Sequence, residues 1–338
     1  MNIVEFSKIL NLSTGTVSRA LNDRAEVSPA TRELVLAKAQ ELGFIRNANA
    51  RRLVTGKNFL IRIACPHFVN VLSDRYLVEL ARSIEDAVGV HGYDLHLRLS
   101  TRRADRNGNE MQPVDGQVLV AAPETTAQDV MALANHGEIP TVVICEEDPL
   151  DYAGASYICI DTVSGVGQAI RKLAEFGHRR IGYVGSGLPG SPLRAALPRL
   201  MAEAGVVWDP DLAIEAGVTQ EQAIQAATAL MRKPSRPTAI FARTDVLAAG
   251  AIQAAYSLGL TVPGDVSIIG HDNIEVAALV NPPLTTVAID IPKVGRAATA
   301  TLLGMIEDNA PPSAQRLSAH LILRASAGPV RERRMAAV

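Results

Sequence analysis

The chain has 338 residues, of which 48% are apolar, 20% charged and 4% aromatic, and its formal net charge is −2. That length suggests two or three domains with ample core, the apolar content excludes a disordered chain, and no apolar run approaches the ~20 residues of a membrane helix. The charge is segregated: residues 1–57 carry nine basic and five acidic side chains (+4), and the remainder carries 24 basic and 30 acidic ones (−6), the asymmetry expected when one end of a protein meets phosphate.

Three short helices are predicted in the basic segment from their caps. Asn2 is an N-cap with Glu5 three residues on, and Phe6, Ile9 and Leu10 form an apolar stripe. Asn11 is placed to end that helix in the left-handed conformation. Ser13 caps a second helix from Thr14 to Leu21, with Val17, Ala20 and Leu21 facing inward. Ser28 caps a third, with Pro29 at its first position and Gly43 beyond its end. Two short helices joined by a tight turn and braced by a third make a helix-turn-helix, although small bundles that bind no DNA share the pattern. The outward side of the second helix carries Thr14, Gly15, Ser18 and Arg19. Small and hydroxyl residues there suit close approach to phosphate, and an arginine can pair in bidentate fashion with guanine.

From Phe59 onward, apolar runs rich in Val and Ile alternate with amphipathic stretches. Strands are predicted at 60–64, 94–99, 117–121, 141–145, 157–161, 181–185, 239–242 and 266–270. Helices are predicted at 76–90, 164–176, 219–232 and 245–258. This alternation implies parallel sheets covered by helices on both faces, and there are too many units for one sheet, so two lobes are expected. Ligands in such folds bind outside the C-terminal ends of the strands.

Several blocks carry a family resemblance. Leu12-Ser13-Thr14-Gly15-Thr16-Val17-Ser18-Arg19-Ala20-Leu21-Asn22 resembles the helix-turn-helix signature of the LacI/GalR repressors. Val27–Arg32 and Glu41–Phe44 are similar to the blocks that follow it, and Asn47–Leu53 resembles the hinge helix. Val114-Asp115-Gly116, Asp161-Thr162, Gly177–Gly182 and Pro283–Val287 resemble the periplasmic-binding-protein-like effector domain, so the likeness spans nearly the whole chain. It implies an all-α helix-turn-helix head with a hinge helix over residues 1–57. An α/β effector-binding and dimerisation domain of two parallel-sheet lobes follows over 58–338. The lobes are expected at 60–159 with 291–318 and at 160–290 with 319–330.

The resemblance places Thr14, Gly15 and Arg19 at base-reading positions, with Ser13, Thr16, Ser18 and Asn22 near the backbone. Asn47, Ala50 and Leu53 fall in the hinge, Leu53 as the apolar wedge that kinks the minor groove. Arg46 replaces the proline usual before the hinge, and Gly15 replaces a longer specificity-bearing side chain. In the effector domain it points to Asp148, Arg194, Asp245 and Asp272, the last in Gly270-His271-Asp272-Asn273. Thr244 replaces the asparagine usual beside Asp245. Arg194 lies one residue past the clamping arginine, whose place is Leu193, and Val218 stands where relatives carry an aromatic.

Other signals point nowhere. Gly185–Gly190 is glycine-rich but lacks the lysine of a nucleotide loop. His178 and His271 have no metal-ligand spacing, no nucleophile elbow occurs, and Cys65, Cys145 and Cys159 form no paired framework. The expectation is a cytoplasmic homodimeric repressor, without cofactor or metal and not an enzyme. Its partners would be near-palindromic operator DNA and a small-molecule effector of carbohydrate type, with no membrane partner. The alternative is a sugar-binding receptor module whose N-terminal helices contact another protein.

Overall fold

In the computed structural model, the described residues are 1–21, 26–44, 56–68, 71–98, 113–146, 148–185 and 191–330. They fall into two compact units, Met1–Phe59 and Leu60–Val338.

In the first unit, helix α1 (Ile3–Leu10) opens with a reciprocal cap. Asn2 Oδ1 accepts from the amides of Val4 (2.9 Å) and Glu5 (3.0 Å), and Glu5 Oε2 accepts from the Asn2 amide (3.0 Å). The helix ends at Asn11, whose φ of 51° turns the chain. Helix α2 (Thr14–Leu21) follows, then α3 (Pro29–Glu41), where Ser28 Oγ accepts from the Thr31 amide at 3.2 Å. Gly43, at φ 59°, brings Phe44 back to stack on Phe6 with ring centres 4.3 Å apart. Phe6, Val17, Ala20, Leu21, Val27 and Val35 form the buried core between the helices.

The second unit contains two six-stranded sheets. The first sheet has the order β11-β5-β4-β3-β1-β2 and is parallel throughout. Its strands are β1 (Leu60–Ala64), β2 (Asp94–Arg98), β3 (Gly116–Val120), β4 (Thr141–Glu146), β5 (Ser156–Asp161) and β11 (Ala314–Ser318). The second has the order β12-β10-β9-β8-β6-β7, parallel except for the edge strand β12. It comprises β6 (Ile181–Gly185), β7 (Ala213–Glu215), β8 (Ala239–Ala242), β9 (Ser267–Asp272), β10 (Thr285–Ala288) and β12 (His320–Ile322). The central strands are buried along their whole length and read as largely apolar runs in the sequence, with Arg62 in β1 and Gln117 in β3 as buried polar exceptions.

The covering helices are α4 (Arg75–Gly89), α5 (Ala127–Leu133), α6 (Thr162–Glu175), α7 (Pro192–Glu203), α8 (Gln220–Met231), α9 (Asp245–Ser257), the short α10 (Val276–Leu279) and α11 (Ile291–Glu307). The chain crosses between the sheets three times: after β5, before α11, and between β11 and β12. Helix α11 returns to the first sheet, packing on α4 and on β3, β4 and β5. The fit is close enough to need Gly116, where a Cβ would fall 2.8 Å from Ile306 and 2.9 Å from Leu302.

Four strands were not anticipated. Strand β11 is an edge whose Ala314, Gln315, Arg316 and Ser318 are exposed, leaving only Leu317 buried, so it has no apolar signature. Strand β10 reads Thr-Thr-Val-Ala, and its buried threonines are satisfied by hydrogen bonds that the sequence does not display. The three-residue strands β7 and β12 are too short to show a period. No helix among the described residues is long and apolar enough to cross a membrane.

Candidate nucleic-acid interface and ligand cleft

Helix α2 presents two faces of different chemistry. Val17, Ala20 and Leu21 are buried, whereas Ser13, Thr14, Gly15 and Arg19 are exposed and Thr16 and Ser18 are half-buried. Ser13 Oγ accepts from the Thr16 amide at 3.0 Å and lies 2.8 Å from Thr16 Oγ1, so the two hydroxyls fix the helix start. The first-turn amides thus point outward at the positive end of the helix, a place suited to phosphate. The Arg19 guanidinium lies back along the same face, its Nη1 3.6 Å from where a Cβ on Gly15 would stand. The same point lies 3.7 Å from Ser13 Oγ, so the arginine rests over Gly15 toward the start of the helix. Asn22, Asn47, Ala50 and Leu53 lie outside the described residues.

In the second unit, the C-terminal ends of β4, β8 and β9 bring together Glu146, Arg243, Asp245, His271 and Asp272. Asp245 is the first residue of α9, behind the cap in which Thr244 Oγ1 accepts from the Leu247 amide. Its side chain is fully buried: Oδ1 accepts from Thr286 Oγ1 (2.5 Å) and Oδ2 from the Ile274 amide (2.9 Å). Gly270 makes room for it, since a Cβ there would fall 2.3 Å from Asp245 Oδ1. One carboxyl therefore ties together the segments after β8 and β9 and strand β10. Burial first, then the nearby Asp272 carboxyl, push its pKa up to about 8, against the lowering effect of its hydrogen bonds.

Asp272 ends β9 with φ 104°, a conformation that costs a non-glycine residue about 1–3 kcal/mol and marks sites where the surroundings impose it. Its Oδ1 lies 2.8 Å from Nδ1 of His271. Burial raises the Asp272 pKa well above the usual carboxylate range although Arg243 opposes the shift. His271 is pushed down to about 3, by burial and then by the charge of Arg243, and its ring is neutral. Arg243 Nη1 lies 3.2 Å from the same His271 Nδ1, and because a guanidinium can only donate, that contact requires Nδ1 to be unprotonated. Arg243 Nη2 pairs with Glu146 at the end of β4, bridging the two sheets of the unit.

The other expected effector residues lie apart from this group. Arg194 donates from Nε to Glu215 Oε1 at 3.2 Å, and its guanidinium sits 4.7 Å from the Trp208 ring centre and 5.6 Å from that of Tyr183. Asp148 pairs with Arg316 on the edge strand β11, and its side chain is 84% exposed. Leu193 is core and Val218 is exposed. Glu146 and Arg243 carry no motif in the sequence, and His271 belongs to this group rather than being an isolated strand-end histidine. Their signal was position alone, as the polar residues at or just past three strand ends.

Residues 10–47 match the bacterial regulatory proteins of the lacI family, and residues 170–327 match a periplasmic binding protein-like domain. Catabolite control protein A of Priestia megaterium is 30% identical over 312 residues, covering 89% of this chain and 91% of that protein. The HTH-type transcriptional repressor CytR of Escherichia coli (strain K12) is 31% identical over 328 residues, 93% of each chain. The chain belongs to the lacI family. It is a DNA-binding transcriptional regulator with a helix-turn-helix head and a two-lobed α/β domain. Its fold is shared by the lac repressor dimer bound to operator and the anti-inducer ONPF, with a TM-score of 0.76, 21% identity and coverage of 97% of this chain and 99% of that one. A transcriptional regulator CelR–cellobiose complex gives a TM-score of 0.69 at 24% identity, covering 97% and 100%. For this lacI-family chain, α2 and α3 lie within the family match to the head, and the Arg243–His271–Asp272 group lies within the match to the larger domain.

Proposed function

We propose that this regulator is a cytoplasmic homodimeric repressor whose grip on a near-palindromic operator is controlled by a sugar-type small molecule held between the two lobes. The observation that carries the reading is the outward face of α2, where Thr14, Gly15 and Arg19 stand exposed over a buried Val17–Ala20–Leu21 face. Thr14, Gly15 and Arg19 read bases; Ser13, Thr16, Ser18 and Asn22 meet the backbone; Asn47, Ala50 and Leu53 act in the hinge. Two-fold symmetry of the operator mirrors that of a dimer. A second copy fits the face of α9 and α10. There a shallow groove lined by Ala249, Ile252, Tyr256 and Val280 adjoins the exposed Leu279.

In the larger domain, Asp272 is the effector's anchor and Asp245 the post that sets it. Arg194 and Asp148 lie apart from these two and would join them only by leaving Glu215 and Arg316. The cellobiose complex of the structural relative supports a carbohydrate ligand. Control requires only that the effector favour one arrangement of the lobes by about 1–3 kcal/mol.

Asp272→Asn tests this reading. Operator retention should survive while the effect of sugars on it, screened by mobility shift, disappears. A variant that responds to the same compounds as the wild type would remove Asp272 from the site.

A further inference from the structure

A guanidinium is the side chain best matched to an anionic effector, and three arginines at or near these strand ends among the described residues, Arg194, Arg243 and Arg324, are engaged. Arg194 is held by Glu215, and Arg324 donates to the Leu284 carbonyl (2.7 Å) and to Asn273 Oδ1 (2.6 Å). Arg243, whose amide is fixed to the Val184 carbonyl at the end of β6, is held by Glu146 and His271. The carboxyls of Asp74, Glu146 and Asp272 face Arg243, and that of Glu79 faces Asp272. Only 13% of the Arg243 side chain and 25% of the Glu146 side chain are exposed. A ligand phosphate or carboxylate displacing Glu146 would leave one buried charge unpaired for each it satisfied.

We propose that Glu146 sets the charge class of the effector: by engaging Arg243 across the lobes it excludes anionic compounds, sugar phosphates and sugar acids among them, and restricts the cleft to uncharged ones. The inference rests on the reading of this cleft as the effector site. Two atoms of the group support an uncharged, hydroxyl-bearing ligand. Glu146 Oε2 and His271 Nε2 are both buried and have no hydrogen-bond partner among the described residues. The first accepts, and the second donates in the tautomer that the Arg243 contact selects. A pair of hydroxyls matches that acceptor and donor, whereas an anion matches only the donor.

Inorganic phosphate is the probe. At pH 6.5 burial keeps Asp245 protonated, its pKa being about 8, and raises Asp272 in the same direction, so removing the Glu146 charge leaves Arg243 available. Wild-type protein should show no saturable change in melting temperature with phosphate, against chloride at matched ionic strength. Glu146→Gln should gain a saturable rise of about 2–4 °C, which Glu146→Gln combined with Arg243→Gln abolishes. Glu146→Ala serves in the same comparison if the glutamine variant gives no cooperative melt. A wild-type response equal to that of the variant, or a gain that persists without Arg243, overturns the proposal, as does no gain at all. Failure of the effector-site reading shows elsewhere: wild-type and Asp272→Asn proteins would then respond alike to sugars on operator DNA, while the phosphate titration still reports on Arg243.

Discussion

Asp245 shows how one residue couples burial, hydrogen bonding and pH. Its carboxyl holds a proton up to about 8, against 3.8 for the free group, so the folded state binds more protons than the unfolded one between those values. Stability therefore falls as pH rises through that window. His271, held neutral down to about 3 against 6.5, acts in the opposite direction, but only below pH 6.5. Between pH 6.5 and 8 the buried carboxyls act unopposed by His271, and the melting temperature of the protein should decline. Asp245→Asn should make that decline shallower. The amide oxygen can accept from the Ile274 amide as the carboxyl does, while its NH2 meets the Thr286 hydroxyl, which then turns from donor to acceptor. Thermal melts of both proteins across the range check this, and equal slopes would show that Asp245 does not titrate there. Asp272 and Asp245 were legible in the sequence because each follows an apolar strand in a recognisable block. Arg243 and Glu146 were not, because an ion pair between residues 97 positions apart leaves no local pattern.

Among the elements, α2 was the most legible, since cap, apolar face and exposed face all repeat at helical spacing. Its start depends on one hydroxyl. Ser13→Ala should destabilise the helix by about 0.5–2 kcal/mol, seen as roughly 2- to 30-fold faster amide exchange in its first turn, with α9 unchanged. Unchanged exchange at Thr16 would mean that the cap is not what holds this end. Elements whose stability comes from tertiary packing or side-chain hydrogen bonds were harder to read. Strand β10 satisfies its threonines through Asp245, Arg324 and Ser326, and β11 is defined by pairing with β5 rather than by its own composition.

For the whole molecule, the sequence carried the separation into a basic head and an acidic body, and the alternation of strands and helices carried the two sheets. Chain crossings brought Asp74, Glu146, Arg243 and Asp272 together, an arrangement that periodicity cannot display. Assembly belongs to this scale. Leu279 is 73% exposed beside the groove on α9, and Leu279→Glu should turn a sedimenting dimer into a monomer and weaken operator retention with the fold intact. A variant of unchanged mass would place the dimer face elsewhere. The central claim is that the α2 face reads DNA sequence in this family member. Its most direct test is a mobility-shift titration of the full chain on genomic fragments at two salt concentrations, beside Arg19→Ala. The account predicts preferential retention of fragments carrying a near-palindrome, and for the variant a loss of about 1–3 kcal/mol on that site with little change on random DNA. Equal retention of all fragments by the wild type, or an equal loss on every sequence in the variant, would contradict it.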